Sequence, residues 1–247
     1  MKKGLILAAL CSLTALTGCS LTPNTDGIVE PDGSGGTTIN TKNALKEAIR
    51  LLNVATIFLD SDIDFDMSFA ISFNNGSSLS IDDLQFESSN KEVLNVENHV
   101  LKTKGQGSAF VTITSSKLEG SVEQQFYVGS IDGNYSFSRG TFSVNLSLNE
   151  SKFDFSVTAG NYHSEAVKDF SGKGSYYKAG CFLFLDFEGS KPTQVVSLYN
   201  AISSYVGNYI DADKITESCY GLLDFANDAI SIKMTNKDAS TLELRAK

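Results

Sequence analysis

The amino-acid sequence predicts a mainly β protein, a β-sandwich followed by a C-terminal antiparallel β-barrel or sandwich domain with one inserted helix. Its aromatic residues are 16 Phe and 9 Tyr without Trp, and both types favour strands. Gly is frequent, at 20 residues, whereas Pro is rare, at 3. Short runs that alternate apolar and polar residues are separated by turn residues at intervals of about 8–12 residues. The chain has 247 residues, which is long enough for two such domains.

Residues 1–18 have the pattern of a bacterial signal peptide. Two lysines precede an apolar run at residues 4–16, which is too short to span a bilayer. The run ends in Leu16-Thr17-Gly18-Cys19, and this tetrapeptide resembles the lipobox of bacterial lipoproteins. The resemblance implies that the thiol of Cys19 is joined to diacylglycerol and that the chain is cut before it. The alternative is an ordinary signal peptide that happens to contain a cysteine.

Residues 19–40 are expected to form the lipidated cysteine and a disordered tether. They are rich in Ser, Thr, Gly, Asp and Pro and show no apolar period. A flexible coil of about 20 residues has a root-mean-square reach of about 25 Å. In the Gram-negative sorting rule that the lipobox resemblance implies, Ser20 sends a lipoprotein to the outer membrane. We therefore expect an outer-membrane lipoprotein, held at the periplasmic face or at the cell surface by its lipid.

The charge balance argues against nucleic acid as a partner. The formal net charge is −9, and no run of basic residues follows the signal peptide. Proteins that bind the phosphate backbone of nucleic acids need clustered Lys and Arg. The acidity of this chain is better explained as a contribution to solubility.

Residues 41–130 are predicted to hold a short helix and a β-sandwich. Leu45, Ile49 and Leu52 recur at helical spacing. From Ile63 to Phe73 apolar residues alternate with polar or small ones, which predicts one half-buried strand. Further short strands are expected between residues 84 and 113, separated by turns.

Two segments of this domain carry a resemblance to a known family. They are "FESSNKEVLNV" at residues 86–96 and "KGQGSAFVTI" at residues 104–113. Their order of strand, Ser-Ser-Asn turn, Val-containing strand and Gly-x-Gly step resembles the bacterial Ig-like domains of the group-2 type (BIG2), found in invasin- and intimin-like surface proteins. Phe86 stands where that family commonly has Trp, and a leading helix is not usual in it. The resemblance implies an Ig-like sandwich that serves as a spacer or an adhesive arm.

Residues 131–247 are predicted to form the C-terminal antiparallel β-domain. Alternating apolar residues at 142–148 and 153–157 flank the turn Asn149-Glu150-Ser151. Apolar residues at helical spacing from Val195 to Tyr209 predict one inserted helix. Eight or so meandering strands can curl into a small barrel. The Gly-x-Tyr that opens the domain, followed by hairpins, is similar to lipocalin-type lipoprotein barrels.

Two cysteines remain after the signal peptide and the lipid anchor are set aside. Because the expected compartment is oxidising, Cys181 and Cys219 are predicted to form a disulfide. Such a bridge would stabilise the fold by about 4 kcal/mol in the chain-entropy model. The alternative is a pair of buried thiols.

The sequence does not indicate catalysis or a cofactor. The only two histidines are His99 and His163, in different predicted domains, and both are expected at the surface. A zinc site would need two ligands beyond Cys181 and Cys219. Carboxylate pairs for glycoside hydrolysis stay open, because their separation cannot be read from the sequence.

Two further motifs suggest a calcium site and a phosphate-binding loop, but neither has the spacing that such a site requires. Asp60, Asp62, Asp64 and Asp66 suggest calcium, but the EF-hand glycine and distant Glu are missing, so a solvated strand face is favoured. "SGKGS" at residues 171–175 lacks the spacing of a phosphate loop and is expected to be a glycine-rich hairpin turn.

The sequence therefore predicts a lipid-anchored binding or adhesion protein with a protein or glycan ligand at the cell surface. Tyrosine suits contact surfaces, and the candidate contact residues are Tyr135, Tyr162, Tyr176 and Tyr177. The alternative for these four is ordinary tyrosines of strands. Two other functions stay open: a lipocalin-like carrier of an apolar small molecule, and a periplasmic hydrolase or an inhibitor of one.

Overall fold

The computed structural model describes residues 44–51, 56–74, 77–160, 168–198, 218–236 and 240–247. The predicted signal peptide and tether, with Cys19, lie outside the described residues, as do Tyr162 and His163. The described chain is mainly β, with one α-helix, α1 (Ala44–Ala48), ahead of eighteen strands. The first nine strands are β1 (Ile49–Leu51), β2 (Thr56–Leu59), β3 (Asp64–Asp66), β4 (Ile71–Phe73), β5 (Leu84–Ser88), β6 (Leu94–Glu97), β7 (Val100–Thr103), β8 (Gly107–Ser115) and β9 (Val122–Val128). The other nine are β10 (Gly133–Arg139), β11 (Phe142–Asn149), β12 (Lys152–Thr158), β13 (Phe170–Ala179), β14 (Phe182–Phe187), β15 (Val195–Val196), β16 (Cys219–Ala226), β17 (Ala229–Asn236) and β18 (Thr241–Ala246).

Strands β2, β3 and β5 to β9 form the predicted sandwich. One sheet has the strand order β2-β9-β8-β5 and the other has the order β3-β7-β6, while β1 and β4 pair as a separate ribbon. Val111 and Phe126 from the first sheet share one buried core with Phe65, Leu94 and Leu101 from the second. The period of two in these strands sends alternate side chains into that core. The edge strand β2 runs parallel to β9, and the other pairings of this sheet are antiparallel.

The start of the sandwich differs from the sequence prediction. The helix ends at Ala48, and Ile49 already belongs to β1. The single strand predicted from Ile63 to Phe73 is instead divided into β3, a 3₁₀ turn (Met67–Phe69) and β4. The carboxylate of Asp66 accepts a hydrogen bond from the backbone N–H of Ser68 at 2.8 Å, and this cap starts the turn. Alternation of apolar residues was preserved across the turn, so the pattern alone could not reveal the break.

The Ser-Ser-Asn segment is confirmed as a turn that joins the two sheets. The backbone N–H of Ser89 donates to the carbonyl of Phe110 at 2.9 Å, and Ser89 Oγ accepts from the backbone N–H of Phe110 at 2.9 Å. The carbonyl of Asn90 accepts from the N–H groups of Val93 and Leu94. Gly105 lies so close to the carbonyl oxygen of Glu92 that an added Cβ would come within 2.8 Å of it. Small polar residues and glycine are thus required where the chain crosses between sheets.

Eight of the later strands form the closed antiparallel barrel. Their order is β17-β16-β14-β13-β12-β11-β10-β18, and β18 pairs back with β17 to close the ring. The short strand β15 pairs with β17 alone. The hairpin between β11 and β12 turns at Glu150 and Ser151, both with positive φ, within the predicted turn. Of the two architectures left open for this domain, the barrel is therefore correct.

Aromatic side chains fill the barrel interior. The rings of five residues contact one another at centroid separations of 4.8 to 6.1 Å: Phe153, Phe155, Phe170, Phe187 and Tyr220. Around them pack buried aliphatic residues of the other strands. A barrel of this size has room for side chains or for one small ligand, and the described rings and aliphatic side chains pack within that space.

The "SGKGS" segment lies within strand β13, so the predicted hairpin turn at this position is wrong. Gly172 and Gly174 face the aromatic interior. A Cβ on Gly172 would come within 2.9 Å of the ring of Phe170, and a Cβ on Gly174 would collide with the carbonyl of Asp186. The glycines are there because large rings and a close backbone leave no room for side chains.

The inserted helix is only partly testable. Its predicted first residues, Val195 and Val196, form β15 and pair with Asn236 and Thr235. A helix that begins at Val195 is therefore wrong. The rest of the predicted helix, residues 199–209, lies outside the described residues.

The sandwich and the barrel share a buried contact. Strand β14 is buried on both faces, because Leu183 and Leu185 point into the barrel while Phe182 and Phe184 pack against the sandwich core. Lys178 of the barrel, whose side chain is 9% exposed, donates to the carbonyl of Gly129 at 2.9 Å and to Asp60 at 2.5 Å. The two domains therefore pack against each other through a shared buried core.

The structure contradicts the predicted disulfide, since Cys181 and Cys219 are present as buried thiols. The backbone N–H of Leu223 donates to the carbonyl of Cys181 at 2.6 Å, so these two residues lie opposite each other. Cys219 instead lies opposite Phe184. These two positions are about 10 Å apart at a rise of about 3.3 Å per strand residue. A disulfide requires Cα atoms within about 7 Å of each other.

Candidate functional site

A groove of about 520 Å³ lies on the outer wall of the barrel. It crosses the adjacent strands β10, β11, β12 and β13. Six outward-facing polar residues line it: Asn134, Asn145, Ser147, Asp154, Ser156 and Ser171. We call this set, together with Lys247 at one end, the polar groove.

Strand register places the polar groove residues in two rows. Ser147 pairs with Asn134 on one side and with Asp154 on the other. Ser156 pairs with Asn145 on one side and with Ser171 on the other. Directly opposed side chains on one sheet face lie about 5 Å apart, so each row presents hydrogen-bonding groups at a close, regular spacing.

Inward-facing residues form the floor of the groove. Tyr135, Leu146 and Phe155 alternate with the polar residues along the same strands and are 1–3% exposed. Gly172 has no side chain and is the fourth floor position. These floor residues pack into the buried cluster of the barrel interior, which supports them from behind.

Most polar groups of the groove are available to a ligand. Lys247 Nζ donates to Asn145 Oδ1 at 3.2 Å, which ties the end of the groove together. The side chains of Ser147, Asp154, Ser156 and Ser171 make no hydrogen bond with the part of the chain that the structure describes. One carboxylate and one ammonium group leave the groove without a net formal charge.

The structure separates the four candidate tyrosines. Tyr135 is buried in the barrel, where its hydroxyl donates to the carbonyl of Ile131 at 2.8 Å, so its assignment to a contact surface is wrong. Burial raises the pKa of Tyr135 to about 12. Tyr177 is 40% exposed and stacks on Phe184 with a centroid separation of 4.5 Å. Partial burial of its side chain raises the pKa of Tyr177 to about 12.

Tyr176 belongs to a hydrogen-bond network at the end of the barrel. Its hydroxyl donates to the carboxylate of Asp132, which also accepts from Ser130 Oγ at 2.7 Å and from the N–H of Glu150 at 3.1 Å. Burial and then the hydrogen bond to Asp132 raise the pKa of Tyr176. The same hydrogen bond lowers the pKa of Asp132 below its usual 3.8. This network closes the turn between β11 and β12 and has a structural role.

Within the described residues, the remaining candidate groups do not assemble into a reactive site. His99 is partly exposed, with Nε2 at 3.8 Å from Asp66 in the sandwich. Of the acidic run, Asp60 pairs with Lys178, Asp66 caps the 3₁₀ turn, and Asp62 occupies a turn with positive φ. Among the described residues, no three His, Cys, Asp or Glu side chains come together in a way that could hold a metal ion. The solvated strand face predicted for the acidic run is confirmed for Asp64 and Asp66, which flank buried Phe65 on β3, whereas Asp60 and Asp62 precede that strand.

Sequence reasoning missed the polar groove. A usable signal was present, because Asn145 and Ser147, and likewise Asp154 and Ser156, alternate with the apolar core residues of β11 and β12. Such alternation is expected of any half-buried strand. Only the pairing of four neighbouring strands shows that these residues line one depression.

The described residues include no helix with the length and hydrophobicity needed to cross a membrane.

Comparisons with known proteins give little. No family model and no curated protein matches the chain. Among solved structures, domains 5–6 of the S-layer protein SbsC are similar at 10% identity and a TM-score of 0.24, over 81% of this chain and 82% of that chain. Domains 4 and 5 of the same S-layer protein are similar at 12% identity and a TM-score of 0.21, over 80% of this chain and 94% of that chain. Scores of this size carry no argument about fold or function.

Proposed function

We propose that this chain is a lipid-anchored protein of the bacterial envelope that binds a ligand at the cell surface without catalysis. The lipobox-like Leu16-Thr17-Gly18-Cys19 and the tether-like composition up to residue 40 support the anchoring. The tether would separate the folded domains from the lipid, and the sandwich would act as the spacer or arm that carries the barrel.

The observation that carries the binding role is the contrast between the two sides of the barrel wall. The interior is filled by packed aromatic rings, while the outer wall presents the polar groove. Ligand pockets are commonly of about 300–1,000 Å³ with a few convergent polar groups. The groove meets both conditions, whereas a lipocalin-like carrier would bind its ligand inside the barrel, in the region where these aromatic rings pack.

The polar groove favours binding over hydrolysis. Its lining residues include a single carboxylate, Asp154. Glycoside hydrolases ordinarily use two carboxyl groups that flank the scissile bond. His99, the histidine within the described residues, lies in the sandwich rather than at the groove.

Metabolic labelling with radioactive palmitate tests the anchoring. We expect the wild-type chain to be labelled and to fractionate with membranes, and Cys19→Ala to abolish both, because several acyl chains make anchoring effectively permanent. Cys11→Ala is the matched control and keeps the label. An unlabelled wild-type chain, or a Cys19→Ala chain that still fractionates with membranes, would overturn the proposed anchoring.

Protease treatment of intact cells tests the cell-surface location. We expect cleavage of the folded domains from outside, while a periplasmic marker protein stays intact. Protection of the chain until the outer membrane is opened would place it on the periplasmic face and contradict a surface role.

A further inference from the structure

We propose that the polar groove is a binding site for a neutral glycan. This inference rests on the proposed binding function and specifies its ligand class. The groove residues, their register and their charge each narrow the chemistry of the ligand.

Charge excludes the ionic classes of ligand. Asp154 is the one carboxylate and Lys247 the one ammonium among the lining side chains, Lys173 opposes Asp154 on β13, and the other polar lining residues are amides and hydroxyls. A phosphate or polyanion site would need an excess of Lys or Arg, and a hard-cation site would need several carboxylates. The chain as a whole carries a net charge of −9, which further disfavours anionic ligands.

Amide and hydroxyl groups match the chemistry of sugar hydroxyls. Asn134 presents a donor and an acceptor, Asn145 presents its NH₂ donor beside the Oδ1 that accepts from Lys247, and each serine hydroxyl can act as either. A sugar hydroxyl likewise donates and accepts. The two rows place several such groups at neighbouring positions, so adjacent hydroxyls of one ring could be bonded by side chains of adjacent strands.

The position of the groove argues against an extended peptide. Peptides commonly bind a sheet by adding a strand to an exposed edge, where backbone groups are unpaired. The groove instead crosses the middle of a closed barrel, and β11 and β12 are paired with strands on both of their sides. A ligand there must be recognised by side chains alone, which suits a glycan.

The size and rigidity of the site agree with an oligosaccharide of a few rings. The groove has a volume of about 520 Å³ and is partly open to solvent. Its residues stand on strands rather than loops, and the packed rings behind the floor hold them in place. Little ordering is then required on binding, which favours recognition of a weakly binding polar ligand.

The test is an array of neutral oligosaccharides probed with the purified full mature protein, with phosphorylated and sulfated oligosaccharides and extended peptides as further probes. We expect binding to at least one neutral oligosaccharide. Its affinity is then measured by calorimetry for the wild-type protein, for Asp154→Asn and for Ser156→Ala. Each variant should bind about tenfold more weakly, because Asp154→Asn replaces a charge-assisted hydrogen bond to the ligand by a neutral one and Ser156→Ala removes one.

Ser231→Ala is the matched control for Ser156→Ala. Ser231 also faces outward from a barrel strand, on β17, and it does not line the groove. Its substitution should leave the affinity unchanged. Circular dichroism of each variant checks that the barrel is folded, and backbone amide shifts of β10 to β13 on titration with the bound oligosaccharide provide a readout that needs no substitution.

Three outcomes would overturn the inference while leaving the envelope-binding function standing. The first is no binding to any neutral oligosaccharide on the array. The second is binding that the groove variants weaken no more than Ser231→Ala does. The third is preference for the charged oligosaccharides or the peptides. The palmitate labelling is independent of all three, so a failure of the anchoring is distinguishable from a failure of the glycan site.

Discussion

At the residue scale, single positions show how strictly the barrel constrains its sequence. Gly174 has no space for a Cβ, which would collide with the carbonyl of Asp186 and approach the ring of Phe153 to 2.9 Å. The same strand carries Tyr176, whose ring packs against the barrel core while its hydroxyl reaches Asp132. Residues that read as a ligand motif or a contact surface in the sequence are therefore explained by packing and by one hydrogen bond.

Replacement Tyr176→Phe should make the stability of the protein less dependent on pH in acid. Tyr176 is the main cause of the lowered pKa of Asp132 in the folded state. A carboxyl with a lowered folded pKa contributes stability above its unfolded pKa, and that contribution is lost as pH falls through the folded pKa. We expect Tyr176→Phe to cost about 1 kcal/mol at pH 7, and the difference from wild type to shrink below pH 3.8.

Urea unfolding of both proteins between neutral pH and pH 2 measures this difference. Tyr177→Phe is the control, since it keeps the stacked ring and should show a wild-type pH profile. A difference between Tyr176→Phe and wild type that stays constant down to pH 2 would contradict the assigned hydrogen bond.

At the element scale, the pairing of strands decides what neighbouring residues can do. Strands β14 and β16 are adjacent, and each carries or borders one of the two cysteines. The register of these two strands nevertheless places the two cysteines several residues apart along the strand direction. Both thiols lie in the core that the barrel shares with the sandwich. Compartment and cysteine count suggested a bridge, but the register forbids it.

We expect both thiols to react only when the protein unfolds. Cys181 is 4% exposed and Cys219 is fully buried, and burial raises the pKa of the Cys219 thiol. Treatment with iodoacetamide should leave the native protein unmodified at these positions and add two carbamidomethyl groups in urea without reductant. Intact mass spectrometry measures this. A chain that accepts the label at Cys181 and Cys219 only after reduction would show that the disulfide forms after all.

At the scale of the whole molecule, the shared core couples the sandwich to the barrel. Phe182 and Phe184 leave the barrel wall and enter the sandwich core. The rings of Phe58, Tyr127 and Phe225 form a second contact, with centroid separations of 5.3 and 4.8 Å. A ligand bound at the barrel would therefore be held at a defined distance and angle from the sandwich.

Replacement Phe184→Ala should weaken this coupling. Removing a fully buried Phe costs about 3–5 kcal/mol, and here the loss falls on the contact between the domains. We expect the wild-type protein to unfold in one calorimetric transition and Phe184→Ala to unfold in two. Phe110→Ala is the control, because Phe110 is 45% exposed and its loss should cost less than about 1 kcal/mol. Two transitions in the wild type would show that the domains are not coupled.

The sequence predicted the strands of the second domain better than the start of the first. Strands β11 and β12 and the turn between them follow directly from the alternation of Val144, Leu146 and Leu148 with polar residues. From Ile63 to Phe73 the same alternation wrongly predicted one continuous strand. A 3₁₀ turn interrupts it there but keeps Met67 buried, so the apolar residues still recur at every second position. The two glycines of "SGKGS" were predicted to form a turn. They are required instead because aromatic rings, including those of Phe153 and Phe187 on other strands, leave no space for a Cβ, and this crowding is not visible in the local sequence.

By itself the sequence determined the mainly β character, the turns at residues 88–90 and 149–151, and the lipobox-like pattern on which the proposed anchoring rests. These are local features, set by side-chain period and by residues that tolerate tight turns. The tertiary structure alone decided that the eight strands close into a barrel, that the cysteines stay apart, that Tyr135 is buried and that seven polar residues line one groove. Those outcomes depend on which strands become neighbours, and that choice is made by the packing of residues far apart in the chain.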